Sequence, residues 1–296
     1  MSGPDTSAKE RVYLDGRLVS ASEARVSAFD YGFLYGYGLF ETMRAYCGVV
    51  FRLEEHVSRL LRAAGRLGFP SLPAAEHLAE ACRLTLEANS LREARVRLMV
   101  TPGEGPVLPD LSSCVGPTVM VVCRQHVPYP PEAYEQGFSA LVSQQRRNSQ
   151  SVSPGVKSLS WLENVLARSE AARAGSQEAL FLNERGMLAE GSSSNVFIVS
   201  GEALVTPALD SGILLGITRR DVVVLARSLG MAVKEREVNL EELFQADEAF
   251  LTNSIMEIMP LTKVDGRRIG SGVGGTWTRR LMDVYHRLVE QAVRRR

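Results

Sequence analysis

The sequence has no net charge and very little lysine. Among its 296 residues, 34 Lys plus Arg balance 34 Asp plus Glu, but only four of the basic residues are lysines. A pI near 6.9 gives no electrostatic basis for binding nucleic acid or an anionic membrane surface. Chemistry that needs a side-chain amine therefore has four candidates, namely Lys9, Lys157, Lys234 and Lys263.

Long apolar runs, paired cysteines and clustered histidines are also missing. No apolar run reaches the roughly 20 residues of a membrane-spanning helix, and the N-terminus lacks the charged-then-apolar order of a secretory signal. Four cysteines without CxxC spacing favour a reducing, cytoplasmic setting over a disulfide framework. Four scattered histidines give a metal site little support. The composition, 45% hydrophobic and 23% charged, is that of an ordinary soluble globular chain.

Helical and strand patterns are interleaved on both sides of a proline-rich break. Residues 126–137 carry three prolines in twelve positions, and residues 1–125 and 138–296 each combine hairpins with helices. We therefore predict two α+β domains joined by a linker at 126–137.

The local patterns predict the type of most segments. Turn residues and apolar spacing are the signals that we use. We predict hairpins at 11–19 and 40–51, amphipathic helices at 53–68, 73–89, 159–175, 217–231 and 275–294, strands at 94–101, 117–125 and 138–148, and three short strands within 178–207.

Three of the four lysines have simple surface explanations. Lys9 lies in a polar N-terminal stretch that we predict to be disordered, Lys234 alternates outward on a strand, and Lys263 flanks an Asp-Gly turn. Lys157 follows the loop NSQSVSPG and precedes the helix predicted at 159–175. Burial at such a loop-to-helix junction would lower the pKa of the amine and make it a nucleophile for a Schiff base, although most lysines are surface residues.

Other segments contain groups that a phosphorylated Schiff-base cofactor would need. Gly216, Ile217 and Thr218 open a predicted helix, whose N-terminal N–H groups can bind a phosphate. Arg52 ends a strand pattern just before another helix, and Glu190 precedes a Gly-Ser-Ser-Ser turn, where a carboxylate could pair with a protonated pyridine nitrogen. Each feature also has a plain structural explanation: a helix N-cap, a surface arginine and a turn carboxylate.

Five segments form an ordered set of motifs. They are FDYGFLYGYGLFETMRAYCGVVFRLEEHVSRL (29–60), VKSLSWLENVLARSEAARAG (156–175), EALFLNERGMLAEGSSSNVFIV (178–199), GITRRDVV (216–223) and FLTNSIMEIMPL (250–261). In this order and spacing they resemble the class-IV aminotransferase family, the fold-type IV pyridoxal-phosphate enzymes. The resemblance implies an α+β fold of two α/β sandwich-like domains, as in the D-amino-acid and branched-chain aminotransferases.

The resemblance also implies the main cofactor contacts. Lys157 matches the lysine that forms the Schiff base with the aldehyde of pyridoxal 5'-phosphate and moves the substrate proton. Glu190 matches the glutamate that faces the pyridine nitrogen, and Arg52 matches the arginine that binds the phosphate.

Further matches complete the implied phosphate site. Ile217 and Thr218 match the start of the helix that holds the phosphate, and Ser254 matches a hydroxyl residue that also touches it. Trp161 stands where many members have a tyrosine near the phenolic oxygen of the cofactor, and tryptophan can donate only an N–H there. The family is homodimeric, so the resemblance implies a homodimer with the active site in the cleft between the domains, near the partner subunit.

Members of the family catalyse several reactions. They include branched-chain, D-amino-acid and R-selective amine transaminases, and 4-amino-4-deoxychorismate lyases, which release pyruvate and 4-aminobenzoate for folate synthesis. The D-amino-acid enzymes carry an Arg-x-His carboxylate trap that is missing from TPGEGPVLPD (101–110), and Phe40 replaces their tyrosine. Branched-chain enzymes carry Phe-Glu-Gly-Ile-Arg and Ile-Arg-Pro, where this chain has FETMR (40–44) and RLMVTPGEG (97–105).

The segment FETMR resembles the lyases. Its Thr42 matches a threonine near the reacting Schiff base, where the hydroxyl can help proton transfer, although a strand threonine can also be purely structural. The resemblance places Phe40 and Arg44 beside a small-molecule amine substrate, with Arg44 near its carboxylate.

The segment SIMEIMPL (254–261) also resembles the lyases, with bulky Ile255 and Met256 beside the substrate where branched-chain enzymes favour small residues. In contrast, RAYCG (44–48) resembles the transaminase pattern. We therefore predict a 4-amino-4-deoxychorismate lyase, with an amino-acid transaminase as the alternative. A cofactor-free binding protein on the same fold is the alternative of another class.

Overall fold

A computed structural model describes residues 10–152 and 155–294, and the chain divides into two units. Unit 1 contains the described residues up to Val127, Lys157–Ser160 and residues 292–294, and unit 2 contains the described residues of 128–156 and 161–291. The boundary after Val127 lies within the segment predicted as a linker. Lys157–Ser160, predicted to belong to the C-terminal domain, groups with unit 1 instead. Lys9 lies outside the described residues.

Unit 1 is built on an antiparallel sheet, which in the described part of the chain has six strands in the order β2-β1-β6-β5-β3-β4. The predicted hairpins turn at Asp15-Gly16 and Cys47-Gly48, as expected. Its elements are β1 (Arg11–Leu14), β2 (Arg17–Ser20), α1 (Tyr31–Tyr35), β3 (Leu39–Tyr46), β4 (Val49–Val50), α2 (Leu53–Arg66), α3 (Ala75–Ala88), β5 (Ala94–Thr101) and β6 (Thr118–Gln125).

The two longer helices, α2 and α3, pack on one face of this sheet. Glu41 of β3 contacts His56 and Arg59 of α2, so the odd-numbered residues of β3 face the helices. Side chains alternate along a strand, and the even-numbered residues Phe40, Thr42 and Arg44 therefore lie on the opposite face.

Glu41, His56 and Arg59 form a buried charged cluster between β3 and α2. Glu41 and His56 are 0% and 2% exposed. The Nδ1 of His56 donates to Oε2 of Glu41 at 2.7 Å, and the Nε of Arg59 donates to Oε1 at 2.7 Å. Burial alone would raise the pKa of Glu41, but the charge of Arg59 and both hydrogen bonds lower it from 4.5 to about 2. Burial also lowers the pKa of His56, against the pull of Glu41.

This cluster predicts an acid-sensitive contribution to stability. A carboxyl group whose pKa falls on folding stabilises the protein fully above pH 4.5, and the contribution is lost as the pH falls toward 2. The expected amount is about 3 kcal/mol. Urea unfolding of the wild type should therefore show a steeper loss of stability between pH 5 and 2.5 than unfolding of Glu41→Gln. An exposed-site variant, Glu87→Gln, is expected to follow the wild type, and an unchanged slope in Glu41→Gln would contradict the assignment.

Unit 2 contains a mixed sheet, which in the described residues has nine strands in the order β12-β11-β10-β13-β14-β7-β8-β9, with β15 paired to β14. The pairs β11–β12, β14–β7 and β7–β8 are parallel. The elements are α4 (Pro131–Gln136), β7 (Phe138–Arg147), α5 (Leu162–Arg173), β8 (Glu178–Asn183), β9 (Leu188–Gly191), β10 (Asn195–Ser200), β11 (Ala203–Thr206), α6 (Ile217–Ser228), β12 (Ala232–Glu235), α7 (Leu240–Phe244), β13 (Glu248–Asn253), β14 (Glu257–Val264), β15 (Arg267–Arg268) and α8 (Thr276–Arg294).

Two segments of unit 2 differ from the sequence prediction. The predicted linker contains a helix, α4, because Pro131 occupies the first helical turn, where its missing N–H costs nothing. Residues 178–206 form four strands instead of three, because Ser192–Ser194 break the pattern between β9 and β10.

The helix α5 exposes its larger apolar side chains and packs by small ones. Leu162, Val165 and Leu166 are 71%, 57% and 42% exposed. Ala167 and Ala171 are buried instead, in a cluster that includes residues of β8 and β9. Small side chains let the helix approach the sheet closely.

Candidate active site

The segment that carries Lys157 pairs with the beginning of β3. The N–H of Phe40 donates to the carbonyl of Lys157 at 2.9 Å, and the N–H of Leu159 donates to the carbonyl of Gly38 at 2.8 Å. A Cβ on Gly38 would lie 2.5 Å from Cδ1 of Leu159, so glycine permits this close approach. Lys157 therefore extends the sheet of unit 1, whereas the sequence predicted that it lies at a helix junction; α5 begins only at Leu162.

Two cations share the ring of Phe40. Nζ of Lys157 lies 4.6 Å from the ring centroid, and Cζ of Arg97 lies 3.9 Å from it. Lys157 is half-buried, whereas Lys234 and Lys263 are exposed, as predicted. Burial lowers the pKa of Arg97. The amine of Lys157 thus lies on the sheet face that α2 and α3 leave uncovered.

The same face carries the other predicted substrate residues of unit 1. Thr42 is half-buried and lies directly opposite Arg97, while Arg44 lies opposite Arg95. Cζ of Arg44 lies 4.4 Å from the ring centroid of Tyr46. Sequence reasoning missed Arg97. The sequence does contain an indication of it, because two arginines, Arg95 and Arg97, stand at alternate positions in the otherwise apolar strand ARVRLMVT.

Arg52, the predicted phosphate arginine, lies at the N-cap of α2. Its backbone is left-handed, with φ 56° and ψ 33°, which is uncommon for a residue other than glycine. Its Nη1 donates to Oε1 of Glu55 at 3.1 Å. Such an outlier persists only where its surroundings impose it, and such residues cluster at ligand sites.

In unit 2, Glu190 is held at both carboxylate oxygens. Oε2 accepts the N–H of Leu214 at 2.8 Å, and Oε1 lies 3.4 Å from Nη2 of Arg147. Glu190 is 8% exposed, and Cζ of Arg147 lies 4.3 Å from the ring centroid of Phe181. The opposite charge of Arg147 favours the ionised carboxylate. Sequence reasoning missed Arg147, which stands in a polar strand end with no pattern of its own.

The predicted phosphate helix α6 begins without a side-chain cap. Gly216 is its N-cap residue, and a Cβ there would lie 2.1 Å from Oδ1 of Asn195. Nδ2 of Asn195 donates to the carbonyl of Leu214 at 2.7 Å. Ile217 and Thr218 are 7% and 2% exposed. Glycine at position 216 thus lets Asn195 approach closely, and the first N–H groups of α6 are left without a side-chain cap, as in phosphate-binding helix N-termini.

Ser254 and Ile255 lie in a turn between β13 and β14, and both are half-buried. Oδ1 of Asn253 accepts the N–H groups of Ile255 and Met256 at 2.9 and 2.8 Å, which fixes the turn. Met256 is 3% exposed and belongs to the hydrophobic core of unit 2. This packing does not support its predicted contact with substrate. Trp161 is half-buried and is the residue before α5.

The loop after Glu190 is fixed by a buried carboxylate. Glu178 is 1% exposed, and its side chain accepts hydrogen bonds from the hydroxyl groups of Ser192, Ser193 and Ser194. The three serines of the motif EGSSSN are thus held in place by the buried carboxylate of Glu178. Glu178 was not identified from the sequence.

The described residues contain neither a metal-binding cluster nor a membrane-spanning helix. No group of three or more His, Cys, Asp or Glu residues within 10–152 and 155–294 is placed to hold a metal ion. No helix in these ranges combines the length and apolar character needed to cross a bilayer. All four cysteines are free thiols.

Comparison with known proteins identifies the family. The amino-transferase class IV family model matches residues 38–264. The chain belongs to this family. A putative branched-chain-amino-acid aminotransferase of Methanocaldococcus jannaschii is 40% identical over 93% of this chain and 95% of its own length. The aminodeoxychorismate lyase of Bacillus subtilis is 37% identical over 89% of each chain.

The fold agrees with this membership. The crystal structure of the branched-chain amino acid aminotransferase of Escherichia coli superposes with a TM-score of 0.89 at 32% identity, over 95% of this chain and 94% of that one. The chain thus has the predicted α+β, fold-type IV architecture.

Class IV enzymes use pyridoxal 5'-phosphate, so the chain is a pyridoxal-phosphate-dependent class IV enzyme. The cofactor-free alternative is not supported. Buried Glu190 can face a pyridine nitrogen, and the uncapped start of α6 at Gly216 suits a phosphate. The roles of the individual residues stay predictions.

Proposed function

We propose that this class IV enzyme is a 4-amino-4-deoxychorismate lyase. The position of Thr42 is the main observation in support of this proposal. It lies on the face of β3 that also carries Phe40, whose ring contacts the amine of Lys157. The Bacillus subtilis lyase, 37% identical, lends support.

The residues of unit 1 suit this reaction. When bound, the cofactor withdraws electrons from the carbon that bears the substrate amine, which acidifies the proton on that carbon. The amine of Lys157 accepts that proton. The hydroxyl of Thr42 can donate a proton to the departing pyruvate, and formation of the aromatic ring drives the release. Arg97, half-buried and opposite Thr42, provides a cation for a substrate carboxylate.

Glu190 in unit 2 has a separate task. Its Oε2 accepts the N–H of Leu214, and its Oε1 lies 3.4 Å from Nη2 of Arg147, so both carboxylate oxygens are held in position. A fixed negative charge of this kind keeps a pyridine nitrogen protonated, and that protonation makes the ring an effective electron acceptor.

The direct test is product formation. Holoenzyme incubated with 4-amino-4-deoxychorismate should release 4-aminobenzoate and pyruvate in equal amounts. In parallel, L-leucine, D-alanine and R-phenylethylamine are offered with 2-oxoglutarate or pyruvate. Conversion of an amino acid without any 4-aminobenzoate would reject the lyase.

The hydroxyl of Thr42 should matter more for turnover than for cofactor attachment. Thr42→Val keeps the shape of the side chain but removes the proton donor, so kcat for 4-aminobenzoate release should fall about 100-fold. Thr42→Ser should recover most of the activity. Borohydride trapping of the cofactor should be equal in all three proteins. Equal loss of trapping and turnover in Thr42→Val would show that the residue is structural.

An amino-acid transaminase is the second candidate. The Methanocaldococcus jannaschii relative, named as a branched-chain-amino-acid aminotransferase, is 40% identical over 93% of this chain. Half-buried Arg97 can bind the carboxylate of an amino acid as well as that of a lyase substrate. Amino transfer from L-leucine to 2-oxoglutarate in the parallel assay would favour this candidate.

A further inference from the structure

The turn that carries Ser254 ends on a residue in an unfavourable backbone conformation. Residues 254–256 connect β13 to β14, and Asn253 pairs with Glu257 across them; we call residues 253–257 the Ser254 turn. Glu257 has a φ of 61°, in the left-handed region, where hairpin loops of three residues favour glycine. A glutamate keeps this conformation only where its surroundings impose it.

The side chain of Glu257 is held by α8. Glu257 is 6% exposed, and its Oε2 lies 2.8 Å from Nε2 of His286, within hydrogen-bond distance. His286 follows the buried Tyr285 in α8, and its own side chain is 55% exposed. A buried carboxylate needs such a partner, because burial of an unpaired charge is costly. This contact therefore connects α8 to the end of the Ser254 turn.

The first turn of α8 contacts the other end of β13. Glu248, the first residue of β13, accepts the backbone N–H of Trp277 at 2.9 Å and that of Thr278 at 2.8 Å. These N–H groups have no partner within the helix, so the carboxylate of Glu248 caps α8. Thr278 and His286 are about 12 Å apart along the helix. The helix α8 thus contacts a carboxylate at each end of β13, which fixes the Ser254 turn relative to the strand.

Two further contacts hold the middle of the Ser254 turn. The hydroxyl of Tyr134 in α4 donates to the carbonyl of Met256 at 3.3 Å. Nδ2 of Asn253 donates to the carbonyl of Ser193, in the loop after Glu190, at 3.1 Å. The direction of the hydroxyl between these contacts is therefore set from outside the turn. Of the contacts described, the one from α8 falls on the residue with the left-handed backbone.

We propose that His286 and Glu257 are positioning residues for the phosphate end of the cofactor. Without the contact from His286, the strained backbone at Glu257 can relax, and the hydroxyl of Ser254 then turns away from the direction in which it meets a phosphate. Both residues act through Ser254 and not by touching the cofactor. The proposal rests on the predicted phosphate contact of Ser254, and it is independent of whether the enzyme is a lyase or a transaminase.

The test measures how much binding the protein gains from the phosphate group itself. Full-length protein freed of cofactor is dialysed to equilibrium against pyridoxal 5'-phosphate and, separately, against pyridoxal. The ratio of the two dissociation constants is the phosphate preference. In His286→Ala, the Kd for pyridoxal 5'-phosphate should rise about 10-fold and the Kd for pyridoxal should stay unchanged. Equal weakening of both ligands would show a general loss of structure and overturn the proposal.

A double-mutant cycle shows whether His286 acts through Ser254. Ser254→Ala should also lower the phosphate preference about 10-fold. The double variant Ser254→Ala/His286→Ala should lose no more than Ser254→Ala alone, because the hydroxyl that His286 positions is already absent. Additive losses would overturn the proposal, and so would an unchanged preference in either single variant.

Three other variants separate the contact from the fold. Glu257→Gly adopts the left-handed backbone without strain but lacks the carboxylate, so it should fold and match His286→Ala. His286→Gln retains an N–H donor and should keep most of the preference. Arg287→Ala is the matched control, because it removes an exposed basic side chain at the next position of α8, and it should behave as the wild type.

Two outcomes of these variants decide against the proposal. A Glu257→Gly protein with the phosphate preference of the wild type would show that the carboxylate positions nothing. An Arg287→Ala protein with the same loss as His286→Ala would assign the effect to the charge of α8 as a whole. No step of the test needs turnover, so failure of the 4-aminobenzoate assay leaves its result unchanged.

Discussion

Replacing Lys157 with alanine is expected to abolish covalent attachment of the cofactor and to lower turnover about 1000-fold or more. Among the described lysines, Lys157 alone is half-buried, and its amine lies 4.6 Å from the ring centroid of Phe40. Borohydride reduction after incubation with pyridoxal 5'-phosphate, followed by peptide mass spectrometry, measures the attachment.

The controls for this prediction are the exposed lysines. Lys234→Ala and Lys263→Ala each remove a solvent-exposed amine. In both variants, borohydride should trap as much cofactor as in the wild type. Lys157→Arg retains the positive charge but no attacking amine, so it should fold normally and stay unlabelled. A reduced cofactor adduct in Lys157→Ala would assign the nucleophile to another residue.

Glu190→Gln is expected to lower kcat about 100-fold while leaving the fold intact. The amide oxygen can still accept the N–H of Leu214, so the local structure should survive. What disappears is the negative charge, whose loss lowers the pKa of a facing pyridine nitrogen and weakens the ring as an electron acceptor. Nitrogen-15 NMR of labelled cofactor measures that protonation, and steady-state kinetics measure kcat.

Glu202→Gln is the matched control for this substitution, because Glu202 is an exposed glutamate in a turn of the same unit. It should behave as the wild type. Glu190→Asp retains the charge and should recover part of the activity. A Glu190→Gln variant with full kcat and a protonated pyridine nitrogen would show that another group stabilises the proton.

The elements that local chemistry determines were predictable from the sequence. The Asp15-Gly16 and Cys47-Gly48 turns form hairpins, because the glycine of each pair readily adopts the positive φ angle that a tight turn needs. The helix α2 begins and ends within two residues of its prediction, since its buried face follows a clear helical period.

The parts that depend on distant pairing were not predictable. Lys157 was expected at a junction between a loop and a helix, and the sequence did not show that backbone hydrogen bonds to Gly38 and Phe40 hold its segment beside β3. Arg97 was missed because a strand pattern does not show which face a ligand meets. The face by which α5 packs was not predicted, because close approach to the sheet buries Ala167 in preference to larger side chains.

The placement of Lys157 also has a consequence for the order of folding. Unit 1 recruits Lys157–Ser160 after the chain has passed through the first strand of unit 2, β7. At a synthesis rate of about 5–20 residues per second, that segment leaves the ribosome some 2–6 s after Val127. Its contacts with β3 close a long loop, which is a slow kind of step in folding. The segment that carries Lys157 therefore joins the sheet of unit 1 only after β7 has been synthesised.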